Sequence, residues 1–292
     1  MSEKNTTKFR SKRKAQNTAD IITYVLLSIL GFMWVFPFIV IILISFREEK
    51  GMDLSYIIPR TFSVQNYIDL FTVPIGSDVT FFTWFKNTLL ISIVVTVVST
   101  FFVLSVSFTM SRIRFKMRRT FMNIALILGM FPGFMSMSAI YIILDAFKMT
   151  GKLSSLMICY SASAGLGFYV AKGFFDTIPK AMDEAAWIDG ATKWTVFTKI
   201  TMPLSKPIIV YTVLTSFMGP WMDYIFVAYI MRTQYDKYTV ARGLYMMIDR
   251  EHAQTMYTQF CAGAVVVSIP LAIVFLSMQK CYTEGLSGSV KG

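Results

Sequence analysis

Asp183 to Pro207 reads DEAAWIDGATKWTVFTKITMPLSKP, a polar, helix-forming stretch set between two apolar runs of membrane length. Glu184, Ala185 and Ala186 are predicted to lie on a short helix, and Gly190 ends it at a position free to take positive φ. A second short helix is predicted from about Ala191 to Ile200. Proline lacks the backbone donor that a helix interior needs, so Pro203 and Pro207 are expected to stop that helix and start the return into lipid. The stretch reads as a compact helix-turn-helix knob. Ala185, Ala186, Trp187, Ile188 and Phe197 place apolar area on it that water would not reward, and such area marks an interface.

The rest of the chain supplies the membrane. With 55% hydrophobic and 15% charged residues in 292 and a mean hydropathy of +0.56, it is too apolar for an ordinary soluble domain. The run from Ile21 to Phe46 carries no charged residue and, at about 1.5 Å per residue, is longer than a hydrocarbon layer roughly 30 Å thick. It is too long for a cleavable signal peptide and reads as a retained anchor. Five more spans are expected at about 87–111, 120–144, 153–175, 207–231 and 259–279, with residues 176–206 as the loop that carries the knob. The fold class is therefore all-α polytopic membrane protein, about six transmembrane helices in one domain over 21–281. A basic leader (1–20) and a short tail (282–292) flank it.

Six crossings put both termini on one side. Most of the 28 Lys and Arg residues sit in the leader, in the turn from Arg112 to Arg119, in the loop from Lys172 to Lys206 and in the tail. Cytoplasmic segments hold such an excess, so the knob and both termini are assigned to the cytoplasm. The net charge of +11 is concentrated beside spans, which suits topology and attraction to anionic lipid rather than nucleic acid. The leader shows no apolar periodicity and is expected to lack regular structure. Between Glu48 and Lys86, an interfacial helix is expected near Gln65-Asn66-Tyr67, with Tyr67 and Leu70 toward lipid and Trp84 at the interface.

Chemistry inside the spans is sparse. Asp223 is the one acidic residue well inside an apolar span, beside Gly219, Pro220, Trp221 and Tyr224. An ionised carboxylate is costly in hydrocarbon, so it should face the bundle interior, a partner or water. Trp221 and Tyr224 offer faces on which a sugar ring can stack, though aromatic residues in spans also serve packing. Phe131-Pro132-Gly133 interrupts the third span, and the freed backbone groups must be packed or line a wet cavity, so Pro132 and Gly133 are candidates for a translocation path or for a packed kink. Ser163, Gly167 and Ala171 recur every four residues and read as a packing seam. No phosphate-binding loop surrounds Gly151-Lys152, the lone His252 lies in an outer loop, and Cys159, Cys261 and Cys281 have no paired spacing. The chain is therefore expected to bind no metal or cofactor and to be no enzyme.

The order Glu184-Ala185-Ala186, Asp189-Gly190-Ala191, Ile200, Pro203-Leu204 and Pro207 resembles the EAA loop of ATP-binding-cassette importer permeases. Gly173-Phe174-Phe175 and Ile178-Pro179 extend the resemblance upstream. The tail from Gly285 to Gly292, ending Val-Lys-Gly, is similar to that of maltose/maltodextrin permeases. Such a resemblance implies a type I importer permease in a bacterial inner membrane. Glu184, Ala185, Ala186, Asp189 and Gly190 would dock a separate ATPase subunit, which uses ATP and Mg²⁺. Gly288, Ser289, Val290 and Lys291 would reach between the two ATPase subunits, and the outer loop from Arg232 to Thr258 would meet an extracellular sugar-binding protein. A homologous second permease completes the set, and maltodextrin is the implied cargo, with galacto-oligosaccharide or raffinose-type sugars as alternatives. An ion-coupled carrier would need more intramembrane ionisable groups than Asp223.

Overall fold

The computed structural model describes the backbone of residues 3–52, 56–75 and 78–288, and side chains between 16 and 279 apart from 18 and those two gaps. In chain order the helices are α1 (Glu3–Ser45), α2 (Gln65–Thr72), α3 (Phe81–Arg112), α4 (Arg118–Met130), α5 (Gly133–Ala146), α6 (Leu153–Ala164), α7 (Phe168–Thr177) and α8 (Lys180–Ile188). They continue with α9 (Lys193–Thr195), α10 (Met202–Leu204), α11 (Lys206–Met222), α12 (Ile225–Met231), α13 (Val240–Met247) and α14 (Ala253–Gly288). Among the described residues the only strand-like pairing is an isolated bridge between Arg47 and Phe62. The protein is all-α. Four helical stretches are long and apolar enough to cross a membrane, at Ala19–Ser45, Phe81–Arg112, Leu153–Thr177 and Ala253–Gln279, and two bent pairs raise the number to six.

The axis of the bundle is α3, which packs against α6, α7 and α11. Within lipid there is no water to drive helices together, so close approach between small side chains has to do it. Ser92, Ser99, Ser107 and Ser111 recur along the buried face of α3. Ser107 Oγ donates to Val103 O at 2.6 Å and to Phe168 O at 2.9 Å. The second of these bonds reaches the point where a 3₁₀ turn, Gly165–Gly167, interrupts the α6–α7 span. Irregular backbone at membrane depth must find such a partner or line a cavity.

At the first end of α3, Trp84 is fully buried and its Nε1 donates to Tyr235 O at 2.8 Å. Asn87 Nδ2 donates to Asp236 O at 2.8 Å and Tyr238 O at 3.1 Å, and Val240 N donates to Thr88 Oγ1 at 2.8 Å. These bonds hold the segment before α13 flat on α3. Gly243 lies under the indole, where a Cβ would come within 2.0 Å of the ring. Trp84 is therefore a clamp, not the interfacial marker that its position suggested. The α2 expectation is also corrected: Leu70 is fully buried, and the Tyr67 hydroxyl lies 2.7 Å from Ser45 Oγ. Asn66 draws α2 inward, donating to Ser45 O and Arg47 O at 3.0 and 2.6 Å while accepting from Thr258 at 2.9 Å.

Three further expectations change. The leader is helical from Glu3, continuous with the first span in one 43-residue helix. The region 120–144 is two helices, α4 and α5, meeting at 101°. The residue before a proline is pushed toward extended backbone, and Phe131 has ψ 131° with Pro132 at ψ 126°. Residues 207–231 are likewise divided, because α11 ends at Met222, Asp223 is extended at ψ 107°, and α12 starts at Ile225.

Candidate functional site

The knob is built from a repeated local rule. Ile178 precedes Pro179 and is extended at ψ 127°, which ends α7; Pro179 then stands just before α8, where its missing N–H costs nothing. After Ile188 the chain closes in a Schellman motif: Gly190 N donates to Trp187 O at 3.1 Å and Ala191 N to Ala186 O at 2.9 Å. Gly190 has φ +81°, the left-handed value that glycine takes without strain. Thr192 caps the next helix, its Oγ1 accepting from Thr195 N at 3.1 Å.

That second helix differs from expectation. It starts at Lys193, passes through a π-helical stretch at Val196–Thr201, and continues to Leu204, so Pro203 does not stop it. In a regular helix the proline ring would press on the carbonyl four residues back. The wider π turns immediately before it open that space. The turn comes instead at Ser205, where Lys193–Leu204 meets Lys206–Met222 at 85°.

Two attachments fix the knob to the bundle. The first is apolar: Val196 and Phe197 pack with Val103, Leu104 and Phe108 of α3, Phe175 of α7 and Ile208 of α11. Phe197, expected on the exposed face, is thus an anchor, its ring centroid 5.0 Å from that of Phe108. The second attachment is ionic. Arg112, the last residue of α3, places Nε 2.9 Å from Asp183 Oδ2 with both side chains 2% exposed. Arg112 Nη2 also donates to Ile178 O at 2.9 Å, and Ser111 Oγ donates to Asp176 Oδ1 at 2.6 Å. Burial pushes the Asp183 carboxyl above the ordinary carboxylate range, against the pull of Arg112.

Outward, α8 presents what the anchors leave free. Glu184, Ala185, Asp189 and Gly190 are exposed and Ala186 is half-buried. Ile188 is 87% exposed and Trp194 62%. Glu184 and Trp187 border a recess of about 400 Å³ reaching to Arg112, Arg118 and Lys193. Of the five docking candidates, Glu184, Ala185, Asp189 and Gly190 are thus exposed along α8 and its closing turn, while Ala186 packs against the inner cluster. Chemically the surface offers an acid, a glycine turn and apolar area to a partner.

The translocation candidates are scattered. Pro132 and Gly133 are exposed at the α4–α5 bend. Trp221 is 3% exposed and packed between Phe85 and Phe217, so it is core on this chain and not an open stacking face. Asp223 caps α12 through Phe226 N at 3.1 Å and accepts from the Tyr160 hydroxyl at 2.9 Å. Tyr224 stacks on Tyr245 with centroids 4.0 Å apart and Arg242 over its ring at 5.5 Å. Gly288 ends α14, whereas Ser289, Val290 and Lys291 lie outside the described residues. No cluster of three His, Cys, Asp or Glu side chains is present among the described residues.

Residues 103–286, which contain α8 to α13, most of α14 and the whole knob, match the family described as binding-protein-dependent transport system inner membrane component. The chain belongs to this family. It is a membrane-embedded transport subunit and not an enzyme. The galactooligosaccharides transport system permease protein GanQ of Bacillus subtilis is 30% identical over 93% of this chain and 95% of its own. The maltodextrin transport system permease protein MdxG of the same organism is 28% identical over 93% and 96%. Among solved structures, a bacterial ABC transporter involved in the import of the acidic polysaccharide alginate matches with a TM-score of 0.75 at 22% identity, covering 91% of this chain and 97% of that one. That likeness extends to the whole permease fold.

Sequence reasoning missed the Arg112–Asp183 pair. Both residues were in view, but Arg112 was counted with its basic neighbours as a topology signal. Only the packing of α3 against α7 brings the two together.

Proposed function

We propose that this permease subunit imports an oligosaccharide in an ATP-driven system, with α8 as the docking helix for a separate ATP-binding-cassette subunit. The observation that carries the reading is the attachment of α8: welded to α3 through Asp183 and Arg112, with Ile188 and Trp194 left bare on a polar knob. Large apolar side chains left exposed on a polar knob mark an interface. Glu184 supplies a carboxylate to a basic group or backbone donor of the ATPase. ATP, with Mg²⁺, acts in that partner. Closure of two such ATPases moves the knob, and the bundle alternates between inward-facing and outward-facing states.

In this reading the knob and both termini face the cytoplasm, and the segment from Arg232 to Thr258 faces out toward an extracellular binding protein. A second, homologous permease completes the path, to which Asp223, Tyr224, Pro132 and Gly133 contribute, and Ser289 to Lys291 extend toward the ATPase pair. Maltodextrin is the leading cargo, supported by the tail ending Val-Lys-Gly and by MdxG. A galacto-oligosaccharide is the second reading, supported by GanQ.

Purification of the chain with its genetic neighbours tests the docking. The ATPase is expected to co-purify with the wild type and to be lost from Glu184→Lys and Gly190→Pro, with uptake of labelled sugar lost in parallel. Retention of both in both variants sinks the docking role. Uptake of labelled maltodextrin against galacto-oligosaccharide decides the cargo.

A further inference from the structure

Between α3, the α6–α7 break and α11 lies a cleft of about 280 Å³ that none of the residues singled out above for a path occupies. Tyr160, Ser163, Tyr211, Thr212, Thr215 and Ser216 line it. Apart from the two tyrosines, no lining residue is ionisable. Ser99, near the midpoint of α3, stands at its wall, fully buried, with an Oγ that has no hydrogen-bond partner. The 3₁₀ turn opens onto the same place through Gly167, beside which a Cβ would meet nothing within 4 Å. Ser163 and Gly167 therefore line open space, and the expected packing seam holds only at Ala171, which is buried.

Hydroxyls and irregular backbone at mid-membrane depth are retained where they face a wet path or a partner. The orientation of these hydroxyls says more. Ser163 donates to Tyr160 O, Thr212 to Ile208 O and Thr215 to Tyr211 O, at 3.0, 2.8 and 2.9 Å. Tyr160 donates to Asp223. With their protons committed, these oxygens present lone pairs to the cleft, and a ligand rich in O–H donors satisfies them. A ring with several hydroxyls fits that demand. A carboxylate-bearing sugar does not, because no lining residue carries a positive charge to meet it.

We propose that this cleft is a transit site for neutral saccharide units, in which this subunit offers weak, acceptor-type hydroxyl contacts. The inference rests on the importer reading above and names the class of cargo that the path accepts.

The test uses the complete transporter in proteoliposomes, with Cys159, Cys261 and Cys281 replaced by Ser and single cysteines placed at Ser163, Thr215 or Ser216. A charged, hydrophilic methanethiosulfonate reagent is expected to label them, more slowly at saturating maltodextrin. The adduct is expected to lower maltodextrin uptake about tenfold or more while ATP hydrolysis continues. Labelling by a lipophilic maleimide alone, cross-linking to the partner permease, or unchanged uptake after full labelling overturns the cleft and leaves the importer reading standing. Comparable uptake of alginate oligosaccharide by the unmodified transporter overturns the neutral-sugar assignment. No ATP-driven uptake of any saccharide overturns both readings.

Discussion

The two ends of α3 are held in opposite ways. At the first, Trp84, Asn87 and Thr88 each meet a backbone partner in the segment 235–240, and Gly243 fits under the indole without a gap. The three polar side chains that α3 brings to that clamp all find partners within this chain. At the other end, one buried ion pair and a small apolar cluster hold the knob, while Ile188 and Trp194 stay bare. One end is closed within this chain; the other leaves large apolar side chains exposed. A helix built this way is a stiff rod fixed at its first end, with exposed apolar side chains beside its far tip.

Arg112→Ala should disturb this contrast most. It strands the buried Asp183 carboxylate, a loss of about 3–5 kcal/mol for a broken buried pair. The loss should be confined to the knob, seen as fast amide exchange over α8 with the Trp84 clamp still protected. Equal exchange at both ends would mean that the weld is not local. Gly243→Ala probes the closed end. Its methyl needs the space that the Trp84 ring fills, costing about 1–3 kcal/mol, read as a lower thermal midpoint in detergent. Ile188→Asp should shift that midpoint by less than about 0.5 kcal/mol, since the side chain is exposed, yet abolish retention of the ATPase.

The smallest effect expected is on pH dependence. A carboxyl whose folded pKa is raised gives its full contribution below its unfolded value, about 4, and loses it as pH rises through the folded value. Protection of α8 should therefore decline as pH climbs from 4 toward neutrality, and Asp183→Asn should flatten the decline. A slope that persists in Asp183→Asn assigns it to another group.

Much of this was legible in one sequence because the knob is governed by local rules. Gly190, Pro179 and the polar run between apolar spans act within a few residues of themselves, so the helix and its closing turn could be read directly. Three features escaped because their causes are distant in the chain. Trp84 gave no sign that a glycine more than half the chain away would receive its ring. Arg112 looked like any basic residue beside a membrane. Phe197 was counted as exposed because hydrophobicity alone cannot say which face of a short helix turns inward. Pro203 misled for another reason: the π turn that accommodates it leaves no simple sequence mark.

The right angle at Ser205 has a mechanical consequence. Ile208 N and Ile209 N both bond to Ser205 O at 3.1 Å, so α11 starts on a braced corner and not on a slack joint. Force applied along the knob meets α11 broadside at its foot. A braced corner converts a straight push into a tilt, and the arm that tilts carries Tyr211, Thr215 and Ser216. A stroke delivered on one side of the membrane would thus swing a row of hydroxyls at its centre.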